Sequence, residues 1–408
     1  MSRRGDVSGS PARTGATAAW LLSLSLAACD GAAAARNAAP SAEGVRVVEN
    51  PGDARVVAWR LSAEPWLELG GGEDAGLSVP MAAVRTRDGF MVADAGTGEL
   101  RFFDARGRPT HKAGRTGRGP GEFQFLAWAG VLPDDSLPAW DASLRRLTIF
   151  GPDGRYARDV VPQGLGGSFP FVYGVFDDGS LLVSTGMESA GLLPAEGRAW
   201  RDTIELLRIG RTGEVLDTVA RVPGPARYQL TGASGIPRTN SVPFGPNTFA
   251  AVRGNTVYLA TGDEYEIGVY GADGTPRRLI RKQVRPLRVT AADRESYEAG
   301  IRDVGGTPEQ RRERQQMIRE APYPPTMSPV TAMAVGADGE LWVKEAQPPD
   351  TWDRFGRWSV FDAEGRWIAT VETPGRFVVE QVGEDWVLGR KTDPDGTAHV
   401  GIYRLIKR

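Results

Sequence analysis

The sequence predicts an all-β, six-bladed β-propeller that is closed by an N-terminal strand and carries a two-helix insertion between blades four and five. Three observations predict this fold class. A tight turn between two apolar segments recurs six times with a period near 45 residues, a second series of turns interleaves with the first, and the segments around the turns are short, β-branched and aromatic. A fixed period of this length is typical of repeat folds in which each repeat forms one small sheet.

The first series of turns gives the number of repeats. Its turns are centred on Gly89, Asp135, Gly179, Gly254, Gly339 and Glu384. Three of the intervals are close to 45 residues, whereas the two middle intervals are 75 and 85 residues long. The sequence therefore predicts six repeats with extra residues at two joints.

The second series of turns gives the strands within a repeat. Five of these turns end in a glycine, namely Gly107, Gly154, Gly213, Gly274 and Gly365. A short hairpin loop of this kind needs a residue with positive φ, which glycine adopts without strain. Each repeat is therefore predicted to hold four strands in two hairpins.

The last repeat lacks a fourth strand, and the N-terminal part of the chain is predicted to supply it. Residues 66–70 lie ahead of the first repeat and have the pattern of a short strand. Pairing them with the last repeat would close the ring and leave no open sheet edge. Residues 55–61 are predicted to be an extra outer strand or the closing strand itself.

The insertions are predicted to gather on one face of the propeller, in the connections opposite the tight turns. They cover residues 185–200, 223–246, 285–328 and 345–357. The longest holds two predicted helices, over about residues 290–321. Thr290 is the predicted N-cap of the first, with Asp293 three residues later, and Thr307 caps the second, where Gln310 completes a capping box. Because function in repeat folds commonly lies where the insertions are, this face is the candidate binding surface; covering the channel is the alternative role for its loops.

The second repeat carries a recognisable motif. Asp141 is followed five residues later by Arg146, and the segment ends at Phe150. This segment resembles an NHL-type propeller repeat, and residues 117–123 resemble the Gly-Pro-Gly-x-Phe joint between such repeats. Over about residues 55–408 the chain is similar to bacterial six-bladed β-propeller lipoproteins. The resemblance implies the fold and says little about activity.

The N-terminus has the features of a lipoprotein signal peptide over residues 1–28. A basic region is followed by an apolar stretch at residues 16–28, and Cys29, the only cysteine of the chain, comes directly after it. The stretch is too short for a membrane span. Cys29 is therefore the predicted lipid-attachment site, with residues 29–45 as a flexible tether and residues 46–408 as the propeller. An ordinary signal peptide followed by a chance cysteine is the alternative.

The low net charge and the predicted export of the protein limit the kinds of molecule that it is expected to bind. The formal net charge is −2, and it becomes −4 once Arg3, Arg4, Arg13 and Asp6 leave with the signal peptide. Nucleic-acid binding needs a strongly basic face, so no nucleic-acid partner is expected. The protein is predicted to be exported and anchored in a membrane, facing the periplasm or the cell surface. A protein, peptide or glycan is the expected partner.

Catalytic signatures are weak in this chain. It has two histidines, His111 and His399, which are too few for the histidine-bound zinc of NHL-type lyases, and it has no Gly-x-Ser-x-Gly motif. No cofactor is predicted. Asp94, Asp141 and Glu345 nevertheless fall near strand ends, where the resemblance to lactonase-like propellers implies calcium bound by oxygen ligands.

Eight residues on the inserted face are the candidate ligand contacts. They are Asp94, Arg115, Arg118, Asp141, Arg146, Glu345, Trp352 and Arg354. No catalytic residue is assigned. The predicted function is a binding or scaffolding module for a protein, peptide or glycan. The alternatives are a calcium-dependent lactonase or hydrolase of the propeller type and a ligand sensor coupled to a membrane partner.

Overall fold

The computed structural model describes most of the predicted propeller. The described residues are 44–70, 76–166, 170–186, 195–231, 235, 237–302, 307–393 and 396–407, with the backbone alone for 301 and 302. They belong to one compact unit, Asn37–Arg408. The predicted signal peptide (1–28), Cys29 and all but the last two residues of the predicted tether (29–45) lie outside the described residues.

Twenty-eight strands are described along the chain. The first fifteen are β1 (Arg46–Asn50), β2 (Val57–Leu61), β3 (Leu67–Leu69), β4 (Pro80–Arg85), β5 (Gly89–Asp94), β6 (Glu99–Asp104), β7 (Pro109–Ala113), β8 (Leu126–Ala129), β9 (Leu137–Asp141), β10 (Arg146–Phe150), β11 (Tyr156–Val160), β12 (Val172–Val175), β13 (Leu181–Ser184), β14 (Thr203–Ile209) and β15 (Val215–Pro223). The others are β16 (Arg227–Thr231), β17 (Pro237–Ser241), β18 (Phe249–Arg253), β19 (Thr256–Ala260), β20 (Glu266–Gly271), β21 (Pro276–Lys282), β22 (Val330–Val335), β23 (Leu341–Glu345), β24 (Phe355–Phe361), β25 (Trp367–Pro374), β26 (Val378–Val382), β27 (Trp386–Thr392) and β28 (Ala398–Ile406).

These strands form an all-β, propeller-like arrangement of small antiparallel sheets. Four of the sheets are meanders of consecutive strands, β4–β7, β8–β11, β12–β15 and β18–β21. The fourth is extended by β1, which pairs parallel to β21. A further sheet of nine strands holds β22–β25 and β26–β28, with β2 between β25 and β28 and β3 paired to β28. The predicted four-strand meander is therefore the repeating unit of most of the chain.

The N-terminal strands join the end of the chain to its beginning. β3 pairs antiparallel with β28, with Leu69 opposite Val400, which is the pairing that the sequence predicted for residues 66–70. Leu69 and Val400 share one buried cluster with Val92 and Phe103 of the first sheet. β2 instead lies between β25 and β28, parallel to β25 and antiparallel to the end of β28, so residues 55–61 supply an extra strand beside β25, whereas β3 takes the predicted closing position.

The tight turns have the backbone that the sequence predicted. The glycines of the second turn series all have positive φ, between 75° and 96°: Gly107, Gly154, Gly213, Gly274 and Gly365. The second strands of the first two sheets are buried on both faces, since every residue of β5 and of β9 is buried. Middle strands of packed sheets read as continuous apolar runs for this reason.

Two helices occupy the longest insertion, as predicted. They are α1 (Ala291–Arg302) and α2 (Pro308–Arg319). Thr290 and Asp293 exchange hydrogen bonds at the start of α1, and Thr307 and Gln310 do the same at the start of α2. Both capping boxes satisfy backbone donors that the first helical turn leaves without partners. No helix among the described residues is long and apolar enough to cross a membrane.

Candidate functional site

The four inserted segments contact one another. Trp200, in the first segment, exchanges backbone hydrogen bonds of 2.8 Å with Arg227 in the second. The second segment forms the hairpin β16–β17, which the sequence analysis did not predict, and the hydroxyl of Tyr228 in this hairpin donates to the Met317 carbonyl of α2 at 2.8 Å. The insertions therefore build one continuous structure, which we call the inserted cap.

Within the inserted cap, an aromatic cluster joins the fourth inserted segment, residues 345–357, to the second and third. Phe244 lies at its centre, with ring centroids 5.2 Å from Tyr297, 5.9 Å from Tyr323 and 6.2 Å from Trp352. The Trp352 indole also donates to the Gln347 carbonyl at 3.0 Å. Burial raises the pKa of Tyr297 and of Tyr323. The predicted ligand contact Trp352 therefore packs within this cluster while remaining 37% exposed.

An apolar cavity of about 600 Å³ lies between this cap and the inner strands of the nine-stranded sheet. Most of its walls are aromatic or aliphatic, and three charged side chains reach it. The apolar walls include Phe244, Phe249, Val330, Ala332, Trp352, Phe355, Trp358 and Phe377, and the charged residues are Lys344, Glu345 and Arg376. Ligand pockets of small molecules commonly have this size and this mixture of a mainly apolar wall with few polar groups.

Two residues of the cavity wall have a strained backbone. Phe244 has a φ of 60° and Arg376 a φ of 53°, a region that residues with a side chain rarely occupy. Arg376 is held by an ion pair with Asp353, which lowers the pKa of Asp353 and raises that of Arg376. Strained residues persist where the surroundings fix them, and they are concentrated at binding sites.

Lys344 is the cationic side chain of the cavity that has no acidic partner among the described residues. It lies opposite Trp358 in the strand register, with its Nζ 5.9 Å from the Trp358 ring centroid. Burial lowers the pKa of Lys344. A lysine with a lowered pKa spends more time as a neutral, nucleophilic amine than a surface lysine does.

A second, more polar cavity of about 1010 Å³ shares a wall with the first. Glu345 lies in that shared wall and accepts from the Lys282 Nζ at 2.5 Å and from the Ser359 hydroxyl at 2.7 Å. Lys282 also donates to Ser359 at 3.0 Å and lies 3.9 Å from the Trp367 ring centroid. Burial, followed by the nearby Glu345 carboxylate, raises the pKa of Tyr265, which lines the second cavity. The predicted contact Glu345 is thus part of a closed ionic network.

The predicted acids Asp94 and Asp141 are fully buried and hold their own loops together. The Asp94 carboxylate accepts from three backbone N–H groups, those of Ser78, Val79 and Gly96. The Asp141 carboxylate accepts from four, those of Gln124, Phe125, Ser143 and Leu144. Arg101 lies 3.5 Å from Asp94. Carboxylates that are saturated in this way are poor metal ligands, because binding would break these hydrogen bonds.

Four of the predicted ligand contacts are arginines, and two of them form ion pairs. Arg115 forms an ion pair with Glu122 at 2.6 Å. Arg146 donates to the Gly119 and Glu122 carbonyls at 2.9 and 2.7 Å and pairs with Asp159 at 3.2 Å, so it holds the joint between two sheets. Arg118 and Arg354 are exposed. The cavity does not include any of these four arginines.

The histidines have structural neighbours. His111 stacks on Phe102 with ring centroids 4.2 Å apart. His399 lies 2.5 Å from a Glu68 oxygen and 2.9 Å from an Asp393 oxygen, where β28 meets β3. Over the described part of the chain, no group of three or more His, Cys, Asp or Glu residues is arranged to hold a metal ion.

The described fold is similar to that of a solved bacterial protein. This protein, from Bacteroides fragilis NCTC 9343, is classed as exported; its identity to this chain is 12%, the match covers 89% of this chain and all of the other, and the TM-score is 0.51. A member of the DUF4221 family from Bacteroides vulgatus matches with 11% identity, 87% and 100% coverage and a TM-score of 0.45. A gluconolactonase from Xanthomonas campestris matches with 11% identity, 86% and 98% coverage and a TM-score of 0.42.

These identities are low enough that the likeness supports the fold alone. No protein-family model matches the sequence. No curated protein sequence matches it either. What the cavity binds must therefore be argued from its own residues.

Three residues of the cavity region escaped the sequence analysis, namely Phe244, Lys282 and Lys344. Each depends on neighbours far along the chain: Lys282 and Glu345, for example, are 63 residues apart. One signal was present in the sequence. The 49 lysines and arginines of the chain include only five lysines, and one of these, Lys344, follows the apolar run at the start of β23.

Proposed function

We propose that the protein is an exported binding module whose ligand inserts an apolar or aromatic group into the apolar cavity. The observation that carries this proposal is the cavity itself, because three of the four inserted segments and the inner strand β22 contribute to one mainly apolar, partly open cavity of about 600 Å³. The strained backbone of Phe244 and Arg376 at its wall adds support.

A metal-dependent hydrolase is less well supported by the same residues. Its oxygen ligands would have to come from Asp94, Asp141 and Glu345. The first two are saturated by backbone N–H groups and the third is held by Lys282 and Ser359. A calcium ion would have to compete with each of these partners, whereas a ligand for the apolar cavity displaces none of them.

The proposed architecture is a six-bladed, closed ring. Counting β22–β25 and β26–β28 with β3 as two blades of the nine-stranded sheet gives six units of four strands. Two features support this count: the tight turn occurs six times in the sequence, with three of the five intervals close to 45 residues, and the Leu69 cluster packs the first sheet against the last. In this interpretation β2 is an outer strand that bridges two neighbouring blades.

The proposed location is a membrane surface outside the cytoplasm, with Cys29 as the lipid-attachment site. We expect the wild-type protein, expressed in a bacterial host, to incorporate an alkyne-tagged fatty acid, and the Cys29→Ser variant to lose that label, because the chain offers no second thiol. Click-chemistry detection after electrophoresis measures it. An unlabelled wild type, or an equally labelled variant, would rule out lipidation at Cys29.

The cavity predicts a measurable affinity for a small aromatic probe. We expect 2-naphthalenemethanol to bind with a Kd of about 0.1–1 mM, the range that ligand-efficiency limits allow for a molecule of this size. Equilibrium dialysis measures it. Ala332→Phe places a bulky side chain in the cavity wall and should weaken binding at least about tenfold.

A matched control uses the same substitution away from the cavity. Ala363→Phe changes an exposed residue in the turn between β24 and β25, so it should leave binding unchanged. Thermal melting shows whether each variant is folded before dialysis. Equal binding by wild type and folded Ala332→Phe, or no binding by wild type, would contradict the proposal.

A further inference from the structure

We propose that Lys344 is a reactive amine that condenses with the carbonyl group of an apolar aldehyde or ketone in the apolar cavity. This inference rests on the proposed function, because the cavity must first admit the ligand. The ligand is then a carbonyl compound with an apolar body, and the covalent bond forms at the Lys344 Nζ.

Lys344 differs from the other lysines of the chain in its partners. The four others have ionic partners: Lys112 with Glu99 at 3.3 Å, Lys282 with Glu345 at 2.5 Å, Lys391 with Asp393 at 2.7 Å, and Lys407 with Asp338 and Glu340 at 2.8 and 2.6 Å. For the Lys344 Nζ the described residues supply neither an ion pair nor a hydrogen bond. The amine is therefore available to a molecule that enters the cavity.

The strand register directs Lys344 into the cavity. Ala332 of β22 and Trp358 of β24 are its cross-strand partners, and all three residues line the cavity. Directly paired residues of neighbouring strands project from the same face of a sheet. The end of the Lys344 side chain packs over Gly356, where a Cβ would lie only 3.0 Å from the Lys344 Cε and 3.3 Å from its Nζ, so the absence of a side chain at Gly356 makes this position of the amine possible.

The charged side chains on the strands and loops around Lys344 form ion pairs with residues other than Lys344. Glu345 on the same strand holds Lys282, and Arg376 holds Asp353. On the adjoining strands, Glu380 of β26 pairs with Arg390 at 2.6 Å, and Arg357 of β24 lies 3.7 Å from Glu372. With no carboxylate to stabilise its ammonium form, Lys344 has a pKa that burial lowers. In contrast, burial acts to lower the pKa of Lys407, but its hydrogen bonds with Asp338 and Glu340 outweigh this effect and raise it.

The reaction balances without a further reagent. The neutral amine nitrogen attacks the carbonyl carbon and forms a C–N bond, and the resulting carbinolamine loses the former carbonyl oxygen as water, which takes up both amine hydrogens. The product is an imine, and nothing is oxidised or reduced. A desolvated lysine in an apolar pocket is activated for this step because its neutral form is favoured.

Reductive trapping tests the inference. The full-length protein is incubated at pH 7 with a limiting amount of 2-naphthaldehyde and sodium cyanoborohydride, and the labelled lysines are quantified by peptide mass mapping. We expect labelling of Lys344 at least about tenfold above that of Lys112, whose side chain is 53% exposed, because surface lysines are protonated at this pH. At pH 10 the preference should shrink as the surface amines become neutral.

Two comparisons make the result decisive. Lys344→Arg keeps a cation but cannot form an imine, so it should abolish the preferred label and leave labelling at Lys112 unchanged. Lys344 labelled no more than Lys112 at pH 7 would overturn the inference. If 2-naphthalenemethanol binds the cavity in that case, the proposed function stands and only the covalent step fails; if neither compound binds, both fail.

Discussion

Replacing Asp141 with alanine is expected to lower the free energy of unfolding by about 3–5 kcal/mol. The Asp141 carboxylate is fully buried and accepts four backbone hydrogen bonds, at distances from 2.6 to 3.2 Å. Hydrogen bonds to a charged acceptor contribute about 1.5–3 kcal/mol each, and some of the freed donors will find water. Urea unfolding measures the change.

The four donors explain why the effect should be large. Two of them, Gln124 and Phe125, belong to the segment that enters β8, and the other two, Ser143 and Leu144, belong to the turn before β10. One carboxylate therefore ties the entry of a sheet to the turn between its second and third strands. Losing it frees both segments at once.

Variants of the same carboxylate and of an exposed one provide the controls. Asp141→Asn keeps one acceptor oxygen and should be intermediate. Asp153→Ala removes a carboxylate that is 59% exposed in a turn, and should change stability by less than about 1 kcal/mol. A loss below about 1 kcal/mol in Asp141→Ala would show that the carboxylate is not a structural anchor and would return it to the candidate ligands.

The repeat could be predicted from sequence because its information is local. Gly107 and Gly154 occupy turns that require positive φ, and Thr290 and Thr307 begin helices through partners three residues away. Each of these signals involves only a few neighbouring residues. The pairing of β3 with β28 was also predictable, since the last repeat lacked a strand and a short apolar segment remained near the N-terminus.

The cavity could not be predicted in the same way because its information is not local. Phe244 contacts Tyr297 and Trp352 only once three separate insertions have folded together. The hairpin β16–β17 alternates weakly and carries mainly exposed residues on its second strand, so its pattern resembles a loop. Asp94 was predicted as a ligand contact because it is a polar residue at a strand end. The hydrogen bonds that its carboxylate accepts from the backbone of Ser78 and Val79, 16 and 15 residues away, could not be predicted from that local pattern.

The second large effect is expected at the shared wall of the two cavities. Lys282→Met should lower the free energy of unfolding by about 3–5 kcal/mol, because it leaves the Glu345 carboxylate without its cation in a largely buried site. The side chains of Lys282 and Glu345 are 6% and 18% exposed, so water can replace the ammonium only in part. Urea unfolding of the purified variant measures this loss.

A double variant separates the lost pairing from lost packing. Lys282→Met combined with Glu345→Gln removes both charges while the Gln amide can still bond Ser359, so its stability loss should be smaller than the sum of the two single losses by about 1–3 kcal/mol. Lys112→Met, the same substitution in a pair whose lysine is 53% exposed, should cost no more than about 1 kcal/mol.

The two possible results distinguish ionic pairing from packing. If the two single losses simply added, Lys282 would stabilise the fold through its packing on Trp367, 3.9 Å from the ring centroid, and the ionic network would not stabilise the shared wall. Strong coupling would mean that Glu345 is committed to Lys282 and Ser359, which leaves Lys344 as the unpaired charged group of the apolar cavity among the described residues.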